Sequence, residues 1–169
     1  MPGPAQPPVR IAIVGNSGSG KSTLARRLHE ERRIPLLELD SIVWEPGKVA
    51  VLRDKDAFFA DLDRFLADND SWIVEGCYGE LIEHVLARRP QLLFLNPGEE
   101  ACVENNRSRP WEPHKYASKE AQDEKLEFLL SWVRDYYKRD GQWSFAAHRK
   151  LYDAYAGPKE EVTEQAERR

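Results

Sequence analysis

One stretch of this chain has the residue types and spacing to hold an anion. Gly15-Asn-Ser-Gly-Ser-Gly-Lys21-Ser22 satisfies G-x-x-x-x-G-K-[ST] at every specified position. Gly15, Gly18 and Gly20 let the backbone turn tightly and come close to a ligand. The N–H groups freed by that turn, with the positive end of a following helix, face phosphate oxygens. Lys21 has the reach to meet the terminal phosphates of ATP, and the Ser22 hydroxyl is suited to Mg²⁺. Ser17, Ser19 and Thr23 complete the expected contact set for the nucleotide.

Such a loop works only between a strand and a helix, and the flanking sequence predicts both. Val9-Arg-Ile-Ala-Ile-Val14 is an apolar run that predicts a strand buried on both faces. Residues 20–33 predict a helix with Leu24 and Leu28 inward, closed by Pro35. Three more strands are expected at residues 36–39, 71–74 and 91–95. Residues 55–67 place Phe58, Leu62, Phe65 and Leu66 on one helical stripe, and Leu81, Ile82, Val85 and Leu86 mark a helix that stops before Pro90. Asn96-Pro97-Gly98-Glu99 reads as a helix start with Asn96 as N-cap and Pro97 in the first position. Residues 118–138 predict the longest helix and 144–156 the last. The Pro-rich residues 1–8 are expected to be a loose arm and residues 158–169 a polar tail, leaving one domain over 9–157. Strands alternating with helices imply an α/β fold: a mostly parallel sheet of four to five strands between two helical layers. Ligands of such sheets sit at the carboxyl ends of the strands, here after residues 14, 39, 74 and 95.

Composition narrows the function classes. A chain of 169 residues is one domain's worth. Its 25 basic and 29 acidic side chains give a net charge of −4, which argues against nucleic-acid binding. No apolar run approaches the roughly 18 residues of a membrane helix, and the start lacks the basic and apolar regions of a signal peptide. Cys77 and Cys102 form no C-x-x-C pair, and His29, His84, His114 and His148 are scattered with no metal-binding pattern. A cytoplasmic monomer or homodimer is expected.

With the loop in place, the chain resembles P-loop kinases of the adenylate kinase and shikimate kinase group. More narrowly it is similar to the small bacterial topology modulation proteins and adenylate-kinase-related ATPases. The likeness rests on residues 18–26 (Gly-Ser-Gly-Lys-Ser-Thr-Leu-Ala-Arg), 39–47 (Leu-Asp-Ser-Ile-Val-Trp-Glu-Pro-Gly), 72–76 (Trp-Ile-Val-Glu-Gly) and 129–133 (Leu-Leu-Ser-Trp-Val). It implies the three-layer α/β/α fold of P-loop NTPases with a short lid, expected at residues 107–118.

The resemblance also suggests roles beyond the loop. Glu38-x-Asp40 is similar to the carboxylate pair of shikimate kinases, so Asp40, at the end of the second strand, is expected to orient or deprotonate an acceptor hydroxyl. The bland alternative for Asp40 is a cap. Glu75-Gly76 stands where nucleotide kinases of this group carry Asp-Gly. Glu75 would then help hold Mg²⁺ and Gly76 would let the acceptor approach. Trp44 and Tyr78 could stack on a flat acceptor or pack in the core. Cys77 reads as a packing residue. The lid stretch carries Arg107, Arg109 and Lys115 against Glu112 alone, so an arginine there could neutralise a transferring phosphoryl group, or simply favour a helix C-terminus. Arg149 could touch the nucleotide. The expected activity is transfer of the γ-phosphate of Mg-ATP to a small-molecule acceptor, with a nucleoside or nucleotide favoured over a shikimate-like hydroxyl. A regulatory ATPase with a macromolecular partner is the alternative. No Asn-Lys-x-Asp guanine-reading motif occurs.

Overall fold

In a computed structural model, which describes residues 3–4, 6–48, 50–113 and 115–164, the apolar runs line up as parallel strands. They are β1 (Arg10–Gly15), β2 (Leu36–Glu38), β3 (Trp72–Gly76), β4 (Gln91–Leu95) and β5 (Lys159–Val162), in the order β2-β3-β1-β4-β5. Every pairing is parallel. β1 lies at the centre, and Ile11, Ala12, Ile13 and Val14 are all buried because both faces are covered.

Seven helices make those faces: α1 (Lys21–Arg32), α2 (Asp40–Val43), α3 (Lys55–Asp68), α4 (Gly79–Leu86), α5 (Glu99–Arg107), α6 (Lys119–Asp135) and α7 (Phe145–Ala154). Alternate residues of each strand feed opposite layers. Ile11, Ile13, Ile73, Leu93 and Leu95 pack with Ala25, Leu24 and Leu28 of α1. Ala12, Val14, Val74, Leu92 and Phe94 pack against α3, α4 and α7, with Leu62, Leu66, Ile82 and Val85 fully covered or nearly so. Each such aliphatic or aromatic side chain contributes roughly 1.5–3 kcal/mol by leaving water. α6 and α7 begin where the sequence expects. Ser118 Oγ accepts from Ala121 N and Ser144 Oγ from Ala147 N, each at 3.1 Å. Such a cap is worth about 1 kcal/mol. Among the described residues no helix is long and apolar enough to cross a membrane.

Two expectations fail. α5 starts at Glu99 with Gly98 in the cap position, not at Pro97. Asn96 is drawn into a tertiary bridge instead: its Nδ2 donates to Glu161 Oε2 at 3.1 Å and its Oδ1 accepts from Tyr137 Oη at 2.7 Å. The expected polar tail is likewise structured at its start, where Lys159–Val162 forms the edge strand β5 beside β4. Its charges hid it from a periodicity reading. Glu161 is held by Arg149 Nη2 at 2.6 Å, which lets a charged segment join the sheet edge and takes Arg149 away from the nucleotide role suggested for it. Of the expected arm and tail, residues 1, 2, 5 and 165–169 lie outside the described residues, as do Val49 and His114 of the loop and lid.

His148 gives the fold a pH dependence. It is fully buried; Nε2 donates to the Cys77 carbonyl at 2.9 Å, and in the neutral ring Nδ1 accepts from Tyr136 Oη at 2.8 Å. Burial lowers this imidazole to about 4. The unfolded chain therefore takes up a proton near pH 6.5 that the folded chain refuses until about pH 4, and stability falls as pH falls through that window. The full loss is about 3 kcal/mol. Urea unfolding of wild type and His148→Gln between pH 4 and 7 checks this: the variant is expected to lose that part of the slope. Glu75, whose carboxyl is raised by burial, slopes the opposite way in both proteins and drops out of the difference.

Candidate active site

β1 hands the chain to the phosphate loop at Gly15, and α1 starts at Lys21. The turn closes with Ser19 N donating to Asn16 O at 3.1 Å. Gly18 sits at φ +79°, and a Cβ there would lie 2.5 Å from the Cys102 carbonyl oxygen, so a side chain is excluded on both counts. Lys21 is buried to 8% exposure and its Nζ donates to the Asn16 carbonyl at 2.7 Å, inside the loop's own curl. Ser17, Ser19, Ser22 and Thr23 stand around the same turn, with Thr23 exposed in the first turn of α1. Ser19 Oγ is buried without a hydrogen-bond partner among the described residues, a polar atom in want of an acceptor or donor.

The Ser22 hydroxyl donates to Glu75 Oε1 at 3.3 Å. Glu75 is 3% exposed near the end of β3, in register with Ile13 of β1 and Glu38 of β2. Burial raises its carboxyl above the ordinary range; Lys21 pulls it back, while Asp40 and Glu38 push it further up. A divalent cation beside Ser22 would relieve that carboxylate, so the donor set fits Mg²⁺. Among the described residues no group of three or more His, Cys, Asp or Glu is placed to hold a metal, and Mg²⁺ at a phosphate site needs none, taking one or two protein oxygens plus phosphates and waters.

The Asp40 region departs from its expected form. β2 ends at Glu38, and Asp40 is the first residue of the short helix α2. Alternation along a strand therefore does not relate the two carboxylates. Glu38 turns to Arg26 Nε at 2.7 Å on α1. Asp40 is exposed, and its Oδ1 accepts from the hydroxyl of Tyr78. That hydroxyl accepts in turn from Trp44 Nε1 at 2.9 Å. Tyr78 is only 4% exposed and belongs to the core, so its ring is not free to stack on a ligand; its hydroxyl alone reaches Asp40. Burial, then the Asp40 charge, raises the phenol above its usual range, which keeps it a donor. Trp44 is half-buried. At Gly76 a Cβ would lie 2.9 Å from Leu39 Cδ1, so the missing side chain makes room for Leu39. Burial pushes the Cys77 thiol up to about 12, in keeping with a packing role.

The described residues of the expected lid between the Ser108 cap and Ser118 form no helix or strand and are tied to the start of α6. Gln122 Oε1 accepts from Glu112 N at 2.8 Å and its Nε2 donates to Pro110 O at 3.2 Å. Lys115 lies 3.8 Å from Glu112. Arg107, exposed at the end of α5, and half-buried Arg109 form no ion pair among the described residues. Residues missed by sequence reasoning hold the phosphate loop against α5 and α6. Asn106 Nδ2 donates to Ser17 O at 3.2 Å and Cys102 O at 2.8 Å, Asn105 Nδ2 to Gly18 O at 2.8 Å, and Asn16 Nδ2 to Val133 O at 3.1 Å. The one available signal was a pair of asparagines, poor helix formers, inside a helical stretch.

No family model and no curated protein matches the chain. Solved structures do. The YorR protein of Bacillus subtilis, determined in complex with phosphorylated GDP, is similar at 12% identity over 90% of this chain and 84% of that one, with a TM-score of 0.50. A gluconokinase from Sinorhizobium meliloti 1021 is similar at 18% identity over 88% and 96%, TM-score 0.48. Shikimate kinase from Acinetobacter baumannii, in complex with shikimate, is similar at 18% over 85% and 91%, TM-score 0.43. The likeness is one of fold: a mostly parallel five-stranded α/β sheet flanked by helices, shared with the YorR protein over most of both chains.

Proposed function

We propose that this chain is an ATP-dependent phosphotransferase that binds Mg-ATP on residues 15–23 and passes the γ-phosphate to a hydroxyl of a small molecule, a nucleoside or nucleotide in preference to a hydroxy acid. The observation that carries the reading is the grouping at the carboxyl ends of β1, β2 and β3. There the phosphate loop, the Ser22–Glu75 pair at 3.3 Å and the separate, exposed carboxylate of Asp40 border one another. An ATPase needs the first two; a carboxylate held in place beyond them suits a second substrate.

In this mechanism the loop N–H groups and Lys21 bind the β- and γ-phosphates, Lys21 exchanging its Asn16 carbonyl for phosphate oxygen. Ser22 and Glu75 would hold Mg²⁺, whose contribution when bound is to neutralise charge on the phosphate oxygens. Asp40 orients the acceptor hydroxyl and takes its proton as the oxygen–phosphorus bond forms. The bond from the γ-phosphorus to the bridging oxygen breaks and ADP leaves with that electron pair. Arg107 and Arg109, both free of ion pairs among the described residues, would spread the charge of the transferring group.

The test is ADP formation from Mg-ATP with and without a panel of nucleosides, nucleotides and hydroxylated acids. Acceptor-dependent ADP formation, with the γ-phosphate recovered in the acceptor, is expected. Phosphate release at one rate across the whole panel would replace this reading with a regulatory ATPase.

A further inference from the structure

We infer that the position beside Asp40 and Trp44 takes an uncharged molecule with a planar ring and a hydroxyl: a nucleoside, not a nucleotide or a hydroxy acid. This rests on the phosphotransferase reading and narrows it.

The first ground is preorganisation. Trp44 is half-buried, and its indole N–H is fixed on Tyr78 Oη at 2.9 Å while Tyr78 gives its own proton to Asp40. A flat ring is thereby locked in one orientation next to an exposed carboxylate. A ligand that stacks on the ring and donates to the carboxylate meets both without ordering either.

The second ground is that Trp44 belongs to a chain of packed aromatic rings that runs through the buried Tyr78. Tyr78 stands edge-on to Trp44 at 6.5 Å and to Trp143 at 6.3 Å, and Trp143 is 6.2 Å from Trp132. Trp132 is 37% exposed and Phe128, one turn earlier on α6, 77% exposed. Leu52, 47% exposed, bridges to Trp44 from the other side. Of these groups Trp44 is the one tied, through Tyr78, to the exposed Asp40.

Charge supplies the third ground. Two guanidinium groups that adjoin these rings, those of Arg139 and Arg53, are committed to the protein. Arg139 stacks on Trp132 at 3.6 Å and donates to the carbonyls of Trp132 and Trp143. Arg53 donates to Ile42 O at 2.6 Å and pairs with Asp61 at 2.7 Å. Arg107 and Arg109 stand on and after α5, the helix that clamps the phosphate loop. An acceptor carboxylate or phosphate would thus face Asp40, with Glu75 and Glu38 close enough to act on one another, while Arg53 and Arg139 are held by protein partners.

The experiment measures binding to the full chain with Mg²⁺ and a non-hydrolysable ATP analogue at saturation, so that the phosphate loop is occupied. The probes are adenosine, guanosine, cytidine and thymidine, their 5′-monophosphates, shikimate and gluconate. At least one nucleoside is expected to bind about tenfold or more tightly than its own monophosphate and than either acid. Trp44→Ala should weaken that nucleoside about tenfold or more, whereas Trp44→Phe, which keeps a ring, should retain most of it. A monophosphate or acid that binds more tightly than every nucleoside overturns the inference, as does binding by none of the nucleosides or equal binding by wild type and both variants. Affinity for the ATP analogue is read in the same samples. Its absence sinks the phosphotransferase reading itself, whereas its presence with a preference for anions sinks only the narrower claim.

Discussion

Lys21→Ala is expected to leave a folded protein that no longer uses ATP productively, with turnover down by at least about 10²–10³-fold. In the structure Lys21 Nζ is engaged with the Asn16 carbonyl at 2.7 Å and is 8% exposed. Its loss removes one hydrogen bond, about 0.5–1.5 kcal/mol, which the rest of the sheet and its two cores can absorb. The catalytic loss is larger because an ammonium acting as a point charge on the terminal phosphates has no substitute in the loop. Lys21 is also the group that pulls the buried Glu75 carboxyl back toward its ordinary range. Without it that carboxyl rises further, so the variant should also lose Mg²⁺ affinity more steeply as pH falls. The checks are thermal unfolding, Mg-ATP affinity and ADP formation. A variant with wild-type affinity and turnover would overturn the assignment of the loop.

Asp40→Asn is the second large effect and separates a kinase from a regulatory ATPase. The substitution keeps size and lets Tyr78 go on donating to the Oδ1 position, so the local geometry survives and only charge is lost. If Asp40 orients or deprotonates an acceptor, transfer should drop about 10²–10⁴-fold while ATP affinity is spared. In a regulatory ATPase, Asp40 has no substrate to act on, and phosphate release should hardly change. A loss of transfer below about tenfold, or 1.4 kcal/mol, counts against the mechanism. Glu75→Gln is the comparison: it should weaken the dependence on Mg²⁺ under both readings and distinguishes only a metal role from an acceptor role.

The parts that depend on local pattern were legible in advance. The glycine-rich loop is eight consecutive residues, and the strand before it and the helix after it stand where the flanking patterns put them. Four of the strands and most of the helices follow from apolar runs and stripes, because burying such runs on both faces leaves few alternatives. β5 was not legible: Lys159-Glu-Glu-Val162 has no apolar period, and its place in the sheet depends on Arg149 and Asn96 meeting Glu161. The start of α5 misled for a related reason. Asn96 has the side chain of a cap, and Tyr137 and Glu161 compete for it successfully.

For the candidate site the division is the same. Lys21, Ser22 and the rest of the glycine-rich loop come from one contiguous motif, and Glu75 from the likeness of residues 72–76 to nucleotide kinases, so the sequence by itself named the residues proposed to hold phosphate and metal. Only the tertiary structure decided what stands opposite them. It placed Asp40 at the head of a helix and not in a strand, turned Glu38 to Arg26, buried Tyr78 as the link between Asp40 and Trp44, and set Asn106 against Ser17. The physical reason is range. The links from Tyr78 to Trp44 and Asp40 span 34 and 38 residues, that from Asn106 to Ser17 89, and that from Asn16 to Val133 117. A side chain's partner at such separations is chosen by how the layers pack, and no periodicity or short motif carries that information.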